Sequence, residues 1–465
     1  MLRRIITSLL ALSPFMHLQA ADQVLRVPNT AENRMILEQL ELEHDCYGKS
    51  PEYLDFLYDK RAKNLLEQRN TFRNILLRNS KVYVEDVDAL NRSLVTRDDL
   101  GKYHTLEETE ASIKEYADKY PDLTILKSAG NTHENRNVWV LEISNKKTGG
   151  DKSSFLIMGS HHAREWISTE VPLALMKHLL DNYGKIDAVT KVLDESRIVI
   201  VPMVNPDGSA HSRTKQRMWR KNRRPVASSI GVDNNRNYAF KWGTTGASPN
   251  PSSDTYRGPE PMSEIENQIV VNLQKEYDFD TAVSFHSYSE LVLWPWGYTG
   301  KIKSKDHQVF EKHGKAMGQI LGYKPMQISG LYEASGGFDD MLYADFGVLT
   351  YTIELGKWFV PQENEIDPIC EKSIQAMMYL FENAKNPLPV NQDPAYVTKG
   401  ILQNVVRDLV IDDNQSRLDI SLSSLSLLPD SAIQLAMDGL EMETRLRDQI
   451  FDYINRHRSF HRMQN

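Results

Sequence analysis

His162, Ala163, Arg164, Glu165 and Trp166 form the stretch of this chain whose residue types and spacing say most about chemistry. His162 and Glu165 stand three residues apart, so on the first turn of a helix both side chains would project to one side. An imidazole and a carboxylate presented together suit Zn²⁺, which accepts nitrogen and oxygen donors and, when catalytic, keeps three protein ligands and an open position. Solvated surface pairs have the same spacing, so the weight of this one depends on the downstream residues.

Such a pair must be held by a rigid element. An apolar run, Phe155-Leu156-Ile157-Met158, ends at Gly159-Ser160, as a buried strand running out into a loop would. From Tyr103 to about Pro389, strands alternate with helices, the pattern of an α/β layered domain. Strands are predicted at Val138–Ile143, Phe155–Met158, Ile198–Val204, Thr281–His286 and Leu349–Glu354. Helices are predicted at Leu106–Tyr120, Ile167–Leu180, Glu264–Tyr277, His307–Leu321 and Ile369–Ala384. Ser263 and Glu266 would form a capping box for the third of these.

Flanking segments differ in character. Val24 to Leu90 reads as a small α+β unit with strands at Val24–Val27, Tyr53–Tyr58 and Lys81–Val84. Its helices would span Ala31–Glu43 and Lys60–Leu77, the latter with a stripe of Leu65, Leu66, Phe72, Ile75 and Leu76. A polar linker comes next. Asn391 to Asn465 is a helical extension, with one long helix from Ser431 to about Arg456, and no chemistry is evident in it.

A length of 465 residues suggests two or three units. A formal charge of −8 argues against a nucleic-acid binder and mildly favours approach of cationic substrates. Arg3-Arg4, the apolar run Ile5 to Leu12 and Leu18-Gln19-Ala20 read as a signal peptide over residues 1–20. That run is too short to span a bilayer, as is every later one, so the expectation is a secreted or periplasmic protein without a stable membrane anchor. Cys46 and Cys370 alone exclude a Cys-rich zinc site and leave open whether they pair.

Six segments in order resemble the zinc carboxypeptidases of the pancreatic type across nearly the whole middle domain. They are His162-Ala163-Arg164-Glu165-Trp166, Met218-Trp219-Arg220-Lys221, Gly231 to Asn237, Ser284-Phe285-His286-Ser287-Tyr288, Tyr332 to Gly337, and Thr352-Ile353-Glu354-Leu355. The resemblance implies one Zn²⁺ per chain, held by His162, Glu165 and His286. It makes Glu354 the general base and Arg220 the group that neutralises the oxyanion. Arg236, with Asn235 and Tyr332, would grip the free C-terminal carboxylate of a peptide or protein, Arg's planar fork suiting a bidentate contact. Arg164, Ser287 and Tyr288 would belong to neighbouring substrate subsites.

In the family pattern, Asp339 falls at the base of the pocket for the terminal side chain. An acidic residue there implies release of Lys or Arg, the B type, because an unpaired buried carboxylate is costly. Two features depart from that pattern: Phe338 where a small residue is usual, and Gly356-Lys357 where Arg-Asp is usual. Alternatives are a carboxypeptidase for hydrophobic C-termini, a cell-wall peptide amidase, or a non-catalytic peptide-binding protein.

The implied organisation is a signal peptide at 1–20, a prosegment-like domain at 22–91, a linker at 92–102, the zinc carboxypeptidase domain at 103–390 and an extension at 391–465. The fold expected is α/β, a mixed central sheet flanked by helices, with a small N-terminal α+β domain and a helical extension. If the first unit caps the cleft the chain is a zymogen, with a protease cutting near Arg92, Arg97 or Lys102 as a partner; the alternative is a permanently attached accessory domain.

Overall fold

A computed structural model of the chain describes residues 23–40, 42, 52–85, 100–150, 152–226 and 229–384. The expected signal peptide, most of the linker, Cys46 and the extension at 391–465 lie outside the described residues. Cys370 is buried with a free thiol.

The N-terminal unit runs β1 (Gln23–Pro28), α1 (Ala31–Gln39), β2 (Tyr53–Tyr58), α2 (Lys60–Glu67), α3 (Asn70–Arg78) and β3 (Lys81–Val84). Its antiparallel sheet has the order β2-β1-β3. Val27, Leu54 and Phe56 face Ile36, Leu37, Leu66 and Leu76 in one small core. The single helix expected over Lys60–Leu77 is two helices. The break falls at Arg69, whose φ of −131° is not helical, and it lets both Leu66 and Leu76 reach that core.

The large unit begins with α4 (Leu106–Lys119), capped by a Thr105–Glu108 capping box. Then come β4 (Thr124–Asn131), β5 (Asn137–Ile143), β6 (Ser153–Gly159), α5 (Ile167–Asn182), α6 (Asp187–Glu195), β7 (Ser196–Val201) and α7 (Pro206–Thr214). A short hairpin of β8 (Pro225–Val226) and β9 (Ser229–Ile230) precedes α8 (Ile265–Tyr277) and β10 (Thr281–His286). The chain closes with β11 (Leu291–Trp294), α9 (His307–Leu321), β12 (Lys324–Gln327), α10 (Phe338–Phe346), β13 (Leu349–Glu354) and α11 (Glu363–Asn383).

Eight strands form one mixed sheet in the order β12-β11-β13-β10-β6-β7-β5-β4, as the α/β expectation required. At its centre, β13, β10, β6 and β7 are parallel. They are buried on both faces, which the continuous apolar runs Phe155–Met158 and Ile198–Val201 reflect in β6 and β7. Phe155 and Ile157 of β6 join the core beneath α5, α9 and α11, whereas Leu156 and Met158 join the opposite core beneath α8 and α10. This is the two-residue period of a strand read on two faces.

Two local expectations fail. Ser263 does not cap α8: its hydroxyl bonds Glu264 and receives Asn237, while Glu266 is drawn inward to Asn222. α11 starts six residues earlier than expected, because a Gln362–Glu365 capping box forms its first turn and Pro368 is tolerated inside it.

Candidate active site and metal centre

Three neighbouring parallel strands deliver the site at their carboxyl ends, where α/β sheets open a crevice for ligands. β6 ends at Gly159, where an added Cβ would lie 2.0 Å from the Ser168 carbonyl oxygen, so only glycine fits that exit. The chain then turns through His162 to Glu165, closed by the Glu165 N–H donating to the His162 carbonyl at 3.2 Å. β10 ends at His286 and β13 at Glu354, paired in register.

His162 and Glu165 are therefore not on a helical turn. α5 starts only at Ile167, and a tight loop brings the two side chains together instead. His162 Nδ1 lies 2.8 Å from Glu165 Oε1, and His286 Nδ1 lies 2.9 Å from Glu165 Oε2. The two ring nitrogens are 3.1 Å apart. Tetrahedral zinc bound by nitrogen and oxygen at ordinary distances needs ligand edges of about 3.3 Å, so these three atoms fit it. All three residues are buried. Burial pushes the Glu165 carboxyl up, but His162 and His286 outweigh it and hold the group well below the usual carboxylate range.

Asp233, which the sequence did not single out, organises this corner. Its Oδ1 meets His162 Nε2 at 3.2 Å, and its Oδ2 accepts from Arg220 Nη2 at 2.8 Å and Nε at 3.0 Å. Carboxylate support of a ligand histidine's second nitrogen is a common way to fix its ring and raise its basicity. Arg220 Nη1 reaches within 3.4 Å of His162 Nδ1, so the cation faces the same corner. Among the described residues one further group, His133, Glu264 and Glu266, has metal-ligand proximity. There Glu264 is already paired to Arg224 at 2.7 Å, the arrangement of a buried ion pair.

A cavity open to solvent lies over the corner, and the empty space of about 750 Å³ there includes part of its mouth. Every site residue expected from the sequence lines it except Arg164. Arg164 is fully buried at its margin, where its guanidinium covers the Phe359 ring at 4.4 Å and reaches Asp254 at 3.2 Å. Arg236 is held by the Gly246 and Asn235 carbonyls at 2.9 and 2.8 Å and donates to the Tyr332 hydroxyl at 3.3 Å. Asn235 Oδ1 accepts from the Phe338 N–H at 2.9 Å, which fixes that amide at the cavity wall. Ser287 donates to the Phe359 carbonyl, and Tyr288 packs edge-on against the Phe359 ring.

Asp339 occupies the floor. Its Oδ2 accepts from Thr352 Oγ1 at 2.8 Å, while its buried Oδ1 has no hydrogen-bond partner. Burial drives this carboxyl well above its usual range, and the neighbouring Asp340 adds to the effect. The Phe338 side chain does not line the cavity: it is fully buried, packed into the core under α8 and α10. The departure in sequence thus leaves the pocket floor to Asp339.

The N-terminal unit touches this cleft. Asp55 Oδ2 accepts from the Tyr288 hydroxyl at 3.0 Å while Asp55 is held in a two-pronged pair by Arg26 at 2.7 Å. Tyr83 stacks on Trp358 with an interplanar angle of 1°, and Val24 packs on Met218. Nothing in the local sequence of either unit marks these contacts.

Residues 109–376 match the zinc carboxypeptidase family. Carboxypeptidase A2 of Mus musculus is 32% identical over 419 residues, 82% of this chain and 99% of that protein. Carboxypeptidase B of Astacus astacus is 33% identical over 62% of this chain and 99% of its own length. Among solved structures, thrombin activatable fibrinolysis inhibitor superposes with a TM-score of 0.65 at 28% identity, covering 79% of this chain and all of that one.

Proposed function

The chain belongs to the zinc carboxypeptidase family and is a hydrolase using one zinc ion, and from that premise we propose that it releases C-terminal Lys or Arg. The observation that carries the specificity is Asp339 Oδ1, a buried carboxylate oxygen at the cavity floor with no partner of its own. An ammonium or guanidinium arriving there meets an acceptor already desolvated, whereas an apolar side chain leaves it unsatisfied.

His162, Glu165 and His286 are the residues that would hold the metal. When bound, zinc supplies a Lewis acid that polarises a carbonyl and acidifies water. Arg236 grips the substrate's terminal carboxylate, with Tyr332 and Asn235 completing the clamp, which sets the last peptide bond beside Glu354. Glu354 takes a proton from the attacking water and passes it to the departing amine as the C–N bond breaks. Arg220, held by Asp233, donates to the oxyanion as charge develops. Asp233 keeps His162 in one tautomer and orientation through its Nε2.

The N-terminal unit is proposed to act as a prosegment, supported by Asp55 and Arg26 meeting Tyr288 inside the cleft. The signal-like residues 1–20 support export, and peptide C-termini are the proposed partners. No helix among the described residues is long and apolar enough to cross a membrane.

Two blocked dipeptides, one ending in Arg and one in Phe, test the specificity. They are offered to chain cleaved between residues 92 and 102, with and without a chelator, and to intact chain. Chelator-sensitive release of Arg alone, faster after cleavage, is expected. Release of Phe alone would refute the role of Asp339, and equal rates for cleaved and intact chain would refute the prosegment.

A further inference from the structure

The two histidines of the metal corner are held in different ways. His162 Nε2 meets Asp233, the usual carboxylate support. His286 Nε2 is buried and has no hydrogen-bond partner among the described residues. A ligand ring without such a bond needs another constraint on its plane, or rotation about its side-chain bonds blurs the direction of its lone pair.

His161 supplies a surface against that ring. The two imidazoles are nearly parallel, 10° apart with centroids at 5.6 Å, and His161 also meets Phe338 at 5.7 Å and 29°. Offset ring pairs at such separations attract. His161 is itself pinned at both nitrogens, by Ser284 Oγ at 2.9 Å and the Tyr238 hydroxyl at 3.0 Å. Ser284 lies two residues before His286 on β10, so both point to the same face of one strand. His161, Tyr238, Ser284 and Phe338 are each fully buried. His161, ring against ring with both His286 and Phe338, is thus anchored by its two hydrogen bonds.

We propose that His161 is a positioning residue for His286, fixing the plane of that ring by stacking where His162 is fixed by Asp233. The proposal rests on the reading of His286 as a zinc ligand. It also gives Phe338, the bulky departure from the family pattern, a contact that bears on the site: its ring packs against His161. A histidine that merely satisfies its hydrogen bonds in the core would do nothing for the metal.

The test compares full-length wild type with His161→Phe, which keeps a ring face but loses both hydrogen bonds, and His161→Leu, which loses both. The readouts are the zinc dissociation constant by competition with a chromophoric chelator, the visible spectrum after cobalt(II) substitution, and the melting temperature of the metal-free protein. His161→Leu should weaken zinc binding about 10–100-fold and shift the cobalt bands, while His161→Phe stays within about threefold of wild type. Both variants should melt lower without metal, since both abandon Ser284 and Tyr238. Equal zinc affinity in all three proteins, or equal loss in Phe and Leu tracking the melting temperature, would overturn the proposal. Wild-type zinc content far below one per chain, or full zinc binding by His286→Ala, would instead overturn the ligand reading on which it depends.

Discussion

The metal corner and the pocket floor of this cleft are both buried and both acidic, yet their carboxylates are driven in opposite directions. Glu165 and Asp233 face two imidazoles and Arg220, which hold both well below the carboxylate range against the pull of burial. Asp339 and Asp340 have no ion pair among the described residues; burial pushes Asp339 well above its usual range and Asp340 up to about 7, with the Gly297 and Tyr298 N–H groups moderating the latter. The lesson is that burial alone does not fix the charge of a carboxylate. The carboxylates of the first region have their charged partners in hand, whereas Asp339 Oδ1 in the second has no hydrogen-bond partner among the described residues.

Glu354 belongs to neither group, and removing it asks whether the contrast bears on turnover at all. Glu354→Gln should lower kcat by up to about 10⁴-fold with zinc content unchanged, measured by hydrolysis and metal analysis. Retained turnover would detach the contrast from catalysis. Asp339→Leu strikes the unsaturated floor: kcat/KM for an Arg-terminated substrate should fall about 10²–10³-fold, and that for a Phe-terminated one should rise. Asp233→Asn strikes the saturated corner, and zinc affinity should fall about 10–100-fold by chelator competition.

The smallest effect sharpens the comparison through pH. Asp339 has its folded pKa raised above its unfolded one, so the folded state retains a proton that the unfolded chain gives up above about pH 4. Its contribution therefore erodes stability as pH rises from that point. Asp339→Asn should remove this slope and stabilise the substrate-free protein by about 1 kcal/mol at neutral pH, read by urea unfolding at several pH values. An unchanged slope would mean that Asp339 is ionised in the free enzyme.

How far these features were legible in the sequence depended on how local they were. β10 and β13 could be read to the residue, because β-branched and aromatic residues recur in both, as strands buried on both faces favour. β12 could not: Lys324-Pro325-Met326-Gln327 is a partly exposed edge strand, where Pro is tolerated and pattern fades. The residues brought around the cavity were named from the family pattern, not from spacing. Asp233 escaped notice because its partner His162 is 71 residues away, and His161 because its stacking partners come from β10 and α10. The one expectation of local geometry at the site, a helical His162–Glu165 pair, failed because the tight loop after Gly159 does the same work sooner.

The paired Arg26 and Asp55 also govern how the two units can part. Arg26 and Asp55 belong to the same unit and keep each other if it withdraws, whereas their hydrogen bonds with the Tyr288 hydroxyl are given up. Separation should accordingly be nearly indifferent to ionic strength, and what resists it is the aromatic and apolar contact of Tyr83 with Trp358 and Val24 with Met218. None of these contacts is an ion pair between the units, so a seam built of them can reopen without pulling opposite charges apart.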